Sequence, residues 1–288
     1  MCLMAVNKLN RGMQLMSILN LKKIAIYFLM IMLAVIFVFP FMIMLGGSLN
    51  NRTVLVASPS MWIPETPSLK NYRSIMNDEL VLRWLLNSVV ISAIPVLTSI
   101  IICCAVGFIF AKKRFWGKQV LFWMFMAVLM IPSQMTLIPR YIMYSKFNWI
   151  DTYWAFLVPG IWSVMYMFLM RQFISTIPDS LLDAANIDGC GDFRVFAEMI
   201  LPLCRSAIAT VATLSFVSKW NDFMNPLIFT SSDSMYNMIV GLASMLQKTG
   251  NFGIQMASAV VTFLPTLILF IAFQRYFTEG IALSGIKG

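Results

Sequence analysis

The sequence predicts an all-α integral membrane protein with six transmembrane helices and both termini on the cytoplasmic side. Three observations lead there. Of 288 residues, 60% are hydrophobic and only 11% are charged, whereas a soluble domain carries about a quarter charged residues. The apolar residues form continuous runs, long enough for ~20-residue helices to cross a bilayer, and not the short alternating segments of an outer-membrane barrel. Lys and Arg flank those runs and are shared unevenly between the two sets of connections, as orientation in a membrane requires.

Residues 1–23, basic through Lys8, Arg11, Lys22 and Lys23, read as a cytoplasmic N-terminal segment. Residues 24–288 read as one transmembrane domain with spans near 24–47, 85–111, 119–139, 153–170, 204–230 and 256–275. The first apolar run is too long for a cleaved signal peptide and is expected to be retained; Pro40 can bend it and Gly46–Gly47 end it. Residues 52–83, with Pro59, Pro64 and Pro67, form an external segment holding a short amphipathic helix from about Ser68 to Met76. Pro95 lies inside span two. Span three is expected to end near Pro132 or Pro139, and Pro159–Gly160 interrupts span four. The connections holding Lys112, Lys113, Arg114 and Lys118, then Arg171, Arg194 and Arg205, then Arg275 and Lys287, are richer in cations than those holding Arg52, Lys70, Arg73, Arg83, Arg140, Lys146 and Lys248. The richer set is assigned to the cytoplasm.

The longest polar interruption of the second half is 178–202, PDSLLDAANIDGCGDFRVFAEMILP. Its charge density excludes it from lipid, so it is read as a water-facing loop on the cytoplasmic side. Within it, Ser180 and Asp183 match a capping box, Gly189 can end a first short helix in a left-handed conformation, and Asp192 can cap a second. Pro202 suits a first helical turn. On these grounds alone the loop is a helical hairpin between two spans.

The spacing of Asp183, Ala184, Ala185, Gly189, Leu201 and Pro202 resembles the signature loop of ABC importer permeases, with Asp183 in place of the usual Glu and Met199 in place of the usual Ile. Leu69, Asn71, Tyr72, Trp84, Asn87 and Ser88 are similar to a segment of the sugar-importer branch. Trp220, Asn221, Phe223, Pro226 and Leu227 resemble a pattern of sugar permeases, and the closing Gly-x-Lys-Gly resembles the maltose-type permeases. The resemblance runs over about residues 24–288. It implies the ABC type I importer permease fold and a role as one membrane subunit of a carbohydrate importer in the bacterial cytoplasmic membrane. It further implies a second permease subunit, two ATPase subunits that hold ATP and Mg, and an extracytoplasmic sugar-binding protein. Asp183, Ala184, Ala185, Gly189, Leu201 and Pro202 would then couple this chain to an ATPase. The segment around Gly241, Met245 and Gly253 is similar to the loop that reaches the binding protein; read alone, it is an ordinary re-entrant turn.

Chemistry within the chain is not expected. There is no His, which removes the commonest general base and metal ligand, and no phosphate-binding GxxxxGK[ST] loop. No cofactor or metal is therefore expected on this chain. No nucleic-acid-binding pattern accompanies the net charge of +9, and the five cysteines are spaced as apolar filler.

Lys219, Trp220, Asn221 and Asp222 interrupt span five, and Gln134 interrupts span three. Lys219 lies 14 residues past Arg205, roughly 21 Å along a helix. With Asp222 at i+3 the two can pair on one helix face. Two readings stand: a self-neutralising pair near the interface, or, with Gln134, the polar lining of a translocation path. Three function classes follow: the ATP-driven carbohydrate permease, with glycerol phosphate as a non-sugar variant; an ion-coupled secondary transporter; and a membrane scaffold carrying no solute.

Overall fold

The computed structural model describes residues 2–50, 64 and 66–285, with side chains described over 23–50, 64, 66–248 and 250–274. All regular structure among them is helical. The chain divides into two units, residues 1–73 with 251–260, and residues 74–250 with 261–288.

In the first unit, α1 (Cys2–Ser48) runs through Pro40 and passes position 23 without a break. It also passes the expected stop at Gly46–Gly47. Gly47 is there for packing, because a Cβ would lie 2.8 Å from Met256 Cγ. The free carbonyls at the end of this helix need donors, and α2 (Lys70–Met76) supplies them: Asn71 Nδ2 donates to Ser48 O at 2.9 Å and Asn50 O at 2.8 Å, and Tyr72 Oη donates to Ser48 Oγ at 2.7 Å. The expected amphipathic helix is thus a cap for the first span. Gly253, near the start of α14 (Phe252–Gly285), lies against the same Asn71. Residues 52–63 of the expected external segment lie outside the described residues, as does the side chain of Arg275.

The second unit is built around α3 (Glu79–Lys112), which Asp78 caps by accepting from the Leu80 N–H at 2.9 Å. Against it pack α6 (Trp154–Gly160), α7 (Val164–Ser175), α11 (Arg205–Trp220) and α13 (Met238–Thr249). Trp84, Asn87 and Ser88 on α3 fasten the approach to α13. Trp84 Nε1 donates to Asp233 O at 2.7 Å, Asn87 Nδ2 to Ser234 O and Tyr236 O, and Ser88 Oγ accepts from Met238 N–H. Gly241 sits on the Trp84 ring, where a Cβ would come within 2.1 Å.

Two expected spans are bent. α4 (Lys118–Leu129) ends before Pro132, and the chain turns by 92° into a short 3₁₀ turn and α5 (Leu137–Lys146). The segment that leads into α11 meets it at 78°. α11 has 16 residues, about 24 Å at 1.5 Å per residue, so expected span five stops short of 230. After a break, α12 (Met224–Phe229) follows. The break between α6 and α7 falls just after Pro159–Gly160, as expected; Gly160 admits Pro95, whose Cβ would lie 2.7 Å from a side chain there. Four helices are long and apolar enough to cross a membrane, or up to six if each bent pair counts as one.

Candidate functional site

The loop at 178–202 folds as two short helices, α8 (Asp179–Ile187) and α9 (Asp192–Val195), the second continuing through a π turn into α10 (Leu201–Leu203). Gly189 has φ +76°, and α8 closes as a Schellman motif: Cys190 N–H donates to Ala185 O at 2.9 Å and Gly189 N–H to Asn186 O at 3.1 Å. The capping box is not used. α8 starts two residues earlier, after Pro178, so Ser180 already lies inside it, and no side chain caps its first turn. Asp192 likewise is the first residue of α9 rather than its cap.

Both aspartates serve another purpose. Lys112, at the end of α3, donates to Asp179 Oδ1 at 2.6 Å and to the Ile177 carbonyl, and Lys113 pairs with Asp192. The hydrogen bond from Lys112, and then its charge, hold the Asp179 carboxyl below the usual carboxylate range. The basic turn that orients the chain in sequence terms also ties down the loop.

The inner face of the loop is apolar and buried. Ala185, Val195, Ile200 and Cys204 join Cys104 and Phe108 of α3, Met170 and Ile174 of α7 and Val211 of α11 in one core. Ala185 is 6% exposed. The outer face presents Asp183, Ala184, Gly189 and Pro202 to the surroundings, with Leu201 half-buried. It also presents apolar groups that sequence reasoning passed over: Leu181 at 43%, Ile187 at 87% and Phe193 at 82% exposure. Exposed large apolar side chains in the most charged stretch of the chain were the signal for them.

Near the other end of α11 is a cavity of about 90 Å³ lined by Arg140, Lys219, Asp222, Asn225 and apolar groups from α3, α6 and α12. Lys219 and Asp222 do not share a helix face, because α11 ends at Trp220. No ion pair joins them among the described residues. Asp222 instead accepts from Asn225, at 3.2 Å from its N–H and 2.6 Å from Nδ2, and so caps α12. Arg140 donates from Nη2 to Asn225 Oδ1 at 3.1 Å, while its Nε is buried without a partner. Arg140, counted above as an external orienting charge, thus belongs to this cluster; its place on α5, just past an apolar run, was the available clue.

The other expected path residues lie elsewhere. Trp220 is buried, stacks on Phe216 and donates from Nε1 to Thr262 O at 2.9 Å. Asn221 is exposed at the end of α11, and Gln134 is exposed at the break between α4 and α5. Of the expected binding-protein contacts, Gly241 and Gly253 are buried within their units and Met245 is half-buried on α13.

Residues 104–282 match the family model described as the inner membrane component of binding-protein-dependent transport systems. The chain is 35% identical over 260 residues to the arabinooligosaccharides transport system permease protein AraQ of Halalkalibacterium halodurans, covering 89% of this chain and 93% of that protein. It is 27% identical to the polygalacturonan/rhamnogalacturonan transport system permease protein YtcP of Bacillus subtilis, covering 91% and 97% respectively. Its fold is shared with a chain in the crystal structure of a bacterial ABC transporter involved in the import of the acidic polysaccharide alginate, with a TM-score of 0.79, 19% identity and coverage of 90% and 97%. The chain therefore belongs to the inner membrane components of binding-protein-dependent transport systems, and is a transporter permease subunit rather than an enzyme.

Proposed function

We propose that this chain forms one half of the membrane pathway of an ATP-driven carbohydrate importer in the bacterial cytoplasmic membrane. It crosses six times, with both termini and the loop at 178–202 in the cytoplasm. A second permease subunit completes the pathway, two ATPase subunits bind and hydrolyse ATP with Mg, and an extracytoplasmic binding protein delivers the solute. The relatives named for arabinooligosaccharides and polygalacturonan make an oligosaccharide the solute class.

The observation that carries this reading is the two-faced loop. One face is cemented into the core shared by α3, α7 and α11, so it cannot shift without moving them. The other offers Leu181, Ile187 and Phe193 to a partner. ATP can bias only states that it binds differently; a helix gripped by the ATPase and welded to three long helices transmits that bias. Asp183, Ala184 and Gly189 lie at or beside the gripped surface, Ala185 and Leu201 fix the loop to the core, and Pro202 starts its last turn. On the other side of the membrane, Gly241, Met245 and Gly253 are the expected contacts of the binding protein, Gly241 seating α13 on Trp84 and Gly253 seating the start of α14 on Asn71.

Gly189→Pro tests this. Proline cannot adopt φ +76°, so the Schellman closure is lost while the long apolar helices keep their composition. In proteoliposomes holding the whole transporter, ATP hydrolysis is expected to persist and ATP-driven oligosaccharide uptake to fail. Uptake at the parent rate, or uptake driven by a proton gradient without ATP, overturns the proposal; the second result would identify an ion-coupled carrier.

A further inference from the structure

The cavity near Lys219 has an electrostatic composition that the transport reading does not explain. Two cations, Arg140 and Lys219, line it with a single carboxylate, Asp222. That carboxylate is already engaged: each of its oxygens accepts from Asn225. Asn225 Oδ1 in turn takes the Arg140 Nη2 donor, leaving the Arg140 Nε–H buried and unpartnered. Lys219 extends toward α6, its Nζ 3.8 Å from where a Cβ on Gly160 would stand. Cations at such depth normally face a partner or a wet cavity, and buried donors are normally satisfied. Among the described residues neither cation makes an ion pair, Arg140 lies over the Phe229 ring at 5.5 Å from its centroid, and the lining carries one positive charge in excess.

The size of the cavity limits what can supply it. About 90 Å³ holds several waters or one small polyatomic anion, but not a sugar ring. Its walls suit one oxyanion: Arg140 offers a planar donor fork that matches carboxylate or phosphate geometry, and Lys219 offers a point charge. Ile91, Phe156 and Pro226 close the rest with apolar surface, which strengthens an electrostatic contact by excluding water.

We propose that this cavity is a selectivity site for an oxyanion carried by the transported solute, the carboxylate of an acidic sugar or the phosphate of a sugar or polyol phosphate. The proposal rests on the transport reading above and deepens it. A neutral sugar brings no charge to offset the excess cation; an acidic one does, and Asp222 and Asn225 hold the receiving geometry.

The test is direct binding to the purified transporter, assembled with its partner subunits, using D-galacturonate, sn-glycerol-3-phosphate and D-galactose as probes. The melting temperature of the complex is expected to rise with galacturonate or glycerol phosphate and not with galactose. Lys219→Met and Arg140→Gln are each expected to weaken that response by about 10- to 100-fold in apparent affinity, the size of one charge-assisted hydrogen bond. Lys219→Arg keeps the cation and is expected to retain binding, which a packing role for the side chain would not produce. The probe that saturates at the lower concentration identifies the source of the oxyanion. Equal responses to galactose and galacturonate, or unchanged acid binding in both charge-removing variants, overturn the proposal. ATP-driven uptake of neutral oligosaccharides alone would also overturn it while leaving the carbohydrate importer intact, whereas failure of all ATP-driven glycan uptake strikes the transport reading itself.

Discussion

At one end of α11, Asp179 and Asp192 are each tied to a lysine at the end of α3, Lys112 and Lys113, and stand mostly in the open, with side-chain exposures of 79% and 66%. Near the other end, Arg140 and Lys219 are part-buried around a carboxylate engaged elsewhere. Asp179 and Asp192 of the loop pair with lysines beside it and Arg194 pairs with Glu198, while the loop turns apolar groups outward; the cavity keeps apolar walls and lines them with one cation in excess. Exposed ion pairs stabilise weakly, so the pairs of the loop serve to set its orientation, while its stability comes from the core beneath Ala185. An unmatched buried charge costs stability, and such a cost persists where function needs it. One region is made to be held as a solid part, the other to be filled.

The largest effect is expected where that solid part is thickest. Ala185→Leu inserts three heavy atoms into the core that α8 shares with α3, α7 and α11. Overpacking of this kind costs about 1–3 kcal/mol, and tilting α8 should reduce ATP-driven uptake at least about tenfold, in keeping with a coupling element that must be placed within ~1 Å. The same substitution at the exposed neighbour Ala184 should stay within about 0.5 kcal/mol. Thermal unfolding of the two variants, compared with their uptake rates, checks this; equal destabilisation at both positions would remove the distinction between the faces of the loop.

The cavity end should respond less. Gly160→Ala adds one methyl that meets Pro95 Cβ at 2.7 Å and Cγ at 2.9 Å, and part of the strain can be relieved by a small shift of α6. A loss of about 1 kcal/mol is expected, together with altered acid-sugar binding because Lys219 Nζ lies beside that methyl. A variant as stable as the parent with unchanged binding would mean that α6 does not fix the cavity wall.

Smaller still, in stability, are changes to the outward apolar groups. Ile187→Ser and Phe193→Ser remove side chains exposed by 87% and 82%, so unfolding should move by no more than about 0.5 kcal/mol. Co-purification of the ATPase subunits is nonetheless expected to fall sharply. Retention of those subunits at parent levels would place the contact elsewhere.

The legible features were the ones that depend on near neighbours. Gly189 in the left-handed region, the two short helices, the interruption after Pro159–Gly160 and the helix at Lys70–Met76 all follow from local backbone preference. The features that escaped are long-range. Lys112 meets Asp179 across 67 positions and Lys113 meets Asp192 across 79, so a sequence pattern that offers Ser180 and Asp192 as caps gives no hint that packing against α3 supersedes them. Arg140 meets Asn225 across 85 positions; only the bend between α4 and α5 brings α5 to the cavity. Lys219 and Asp222 fit a helix-face pair on spacing, but that spacing means nothing once α11 stops at Trp220. The family-like residues Asn71, Trp84 and Asn87 resemble a functional pattern in sequence and serve as hydrogen-bond staples in the structure.

The smallest expected effect concerns acid. Asp179 is held below the usual carboxylate range by the hydrogen bond and charge of Lys112. Asp151, at φ +63° in the connection before α6, is opposed by its own burial, yet the N–H groups of Ser231 and Ser232, bound to its Oδ1 at 2.9 and 3.0 Å, bring it lower as well. A carboxyl whose folded value lies below its unfolded value of ~3.9 stabilises the fold above that unfolded value and loses the contribution as pH falls through the folded one. Asp179 is exposed and Asp151 is half-buried at the surface, so each effect is small. Unfolding midpoints of the parent, Asp179→Asn and Asp151→Asn, followed from neutral pH downward, should differ slightly at neutrality and converge only below the ordinary carboxylate range. Convergence at higher pH would mean that neither aspartate is held in its ionised form, and a gap that widens on acidification would reverse the sign assigned to Lys112 and to the Ser231–Ser232 amides.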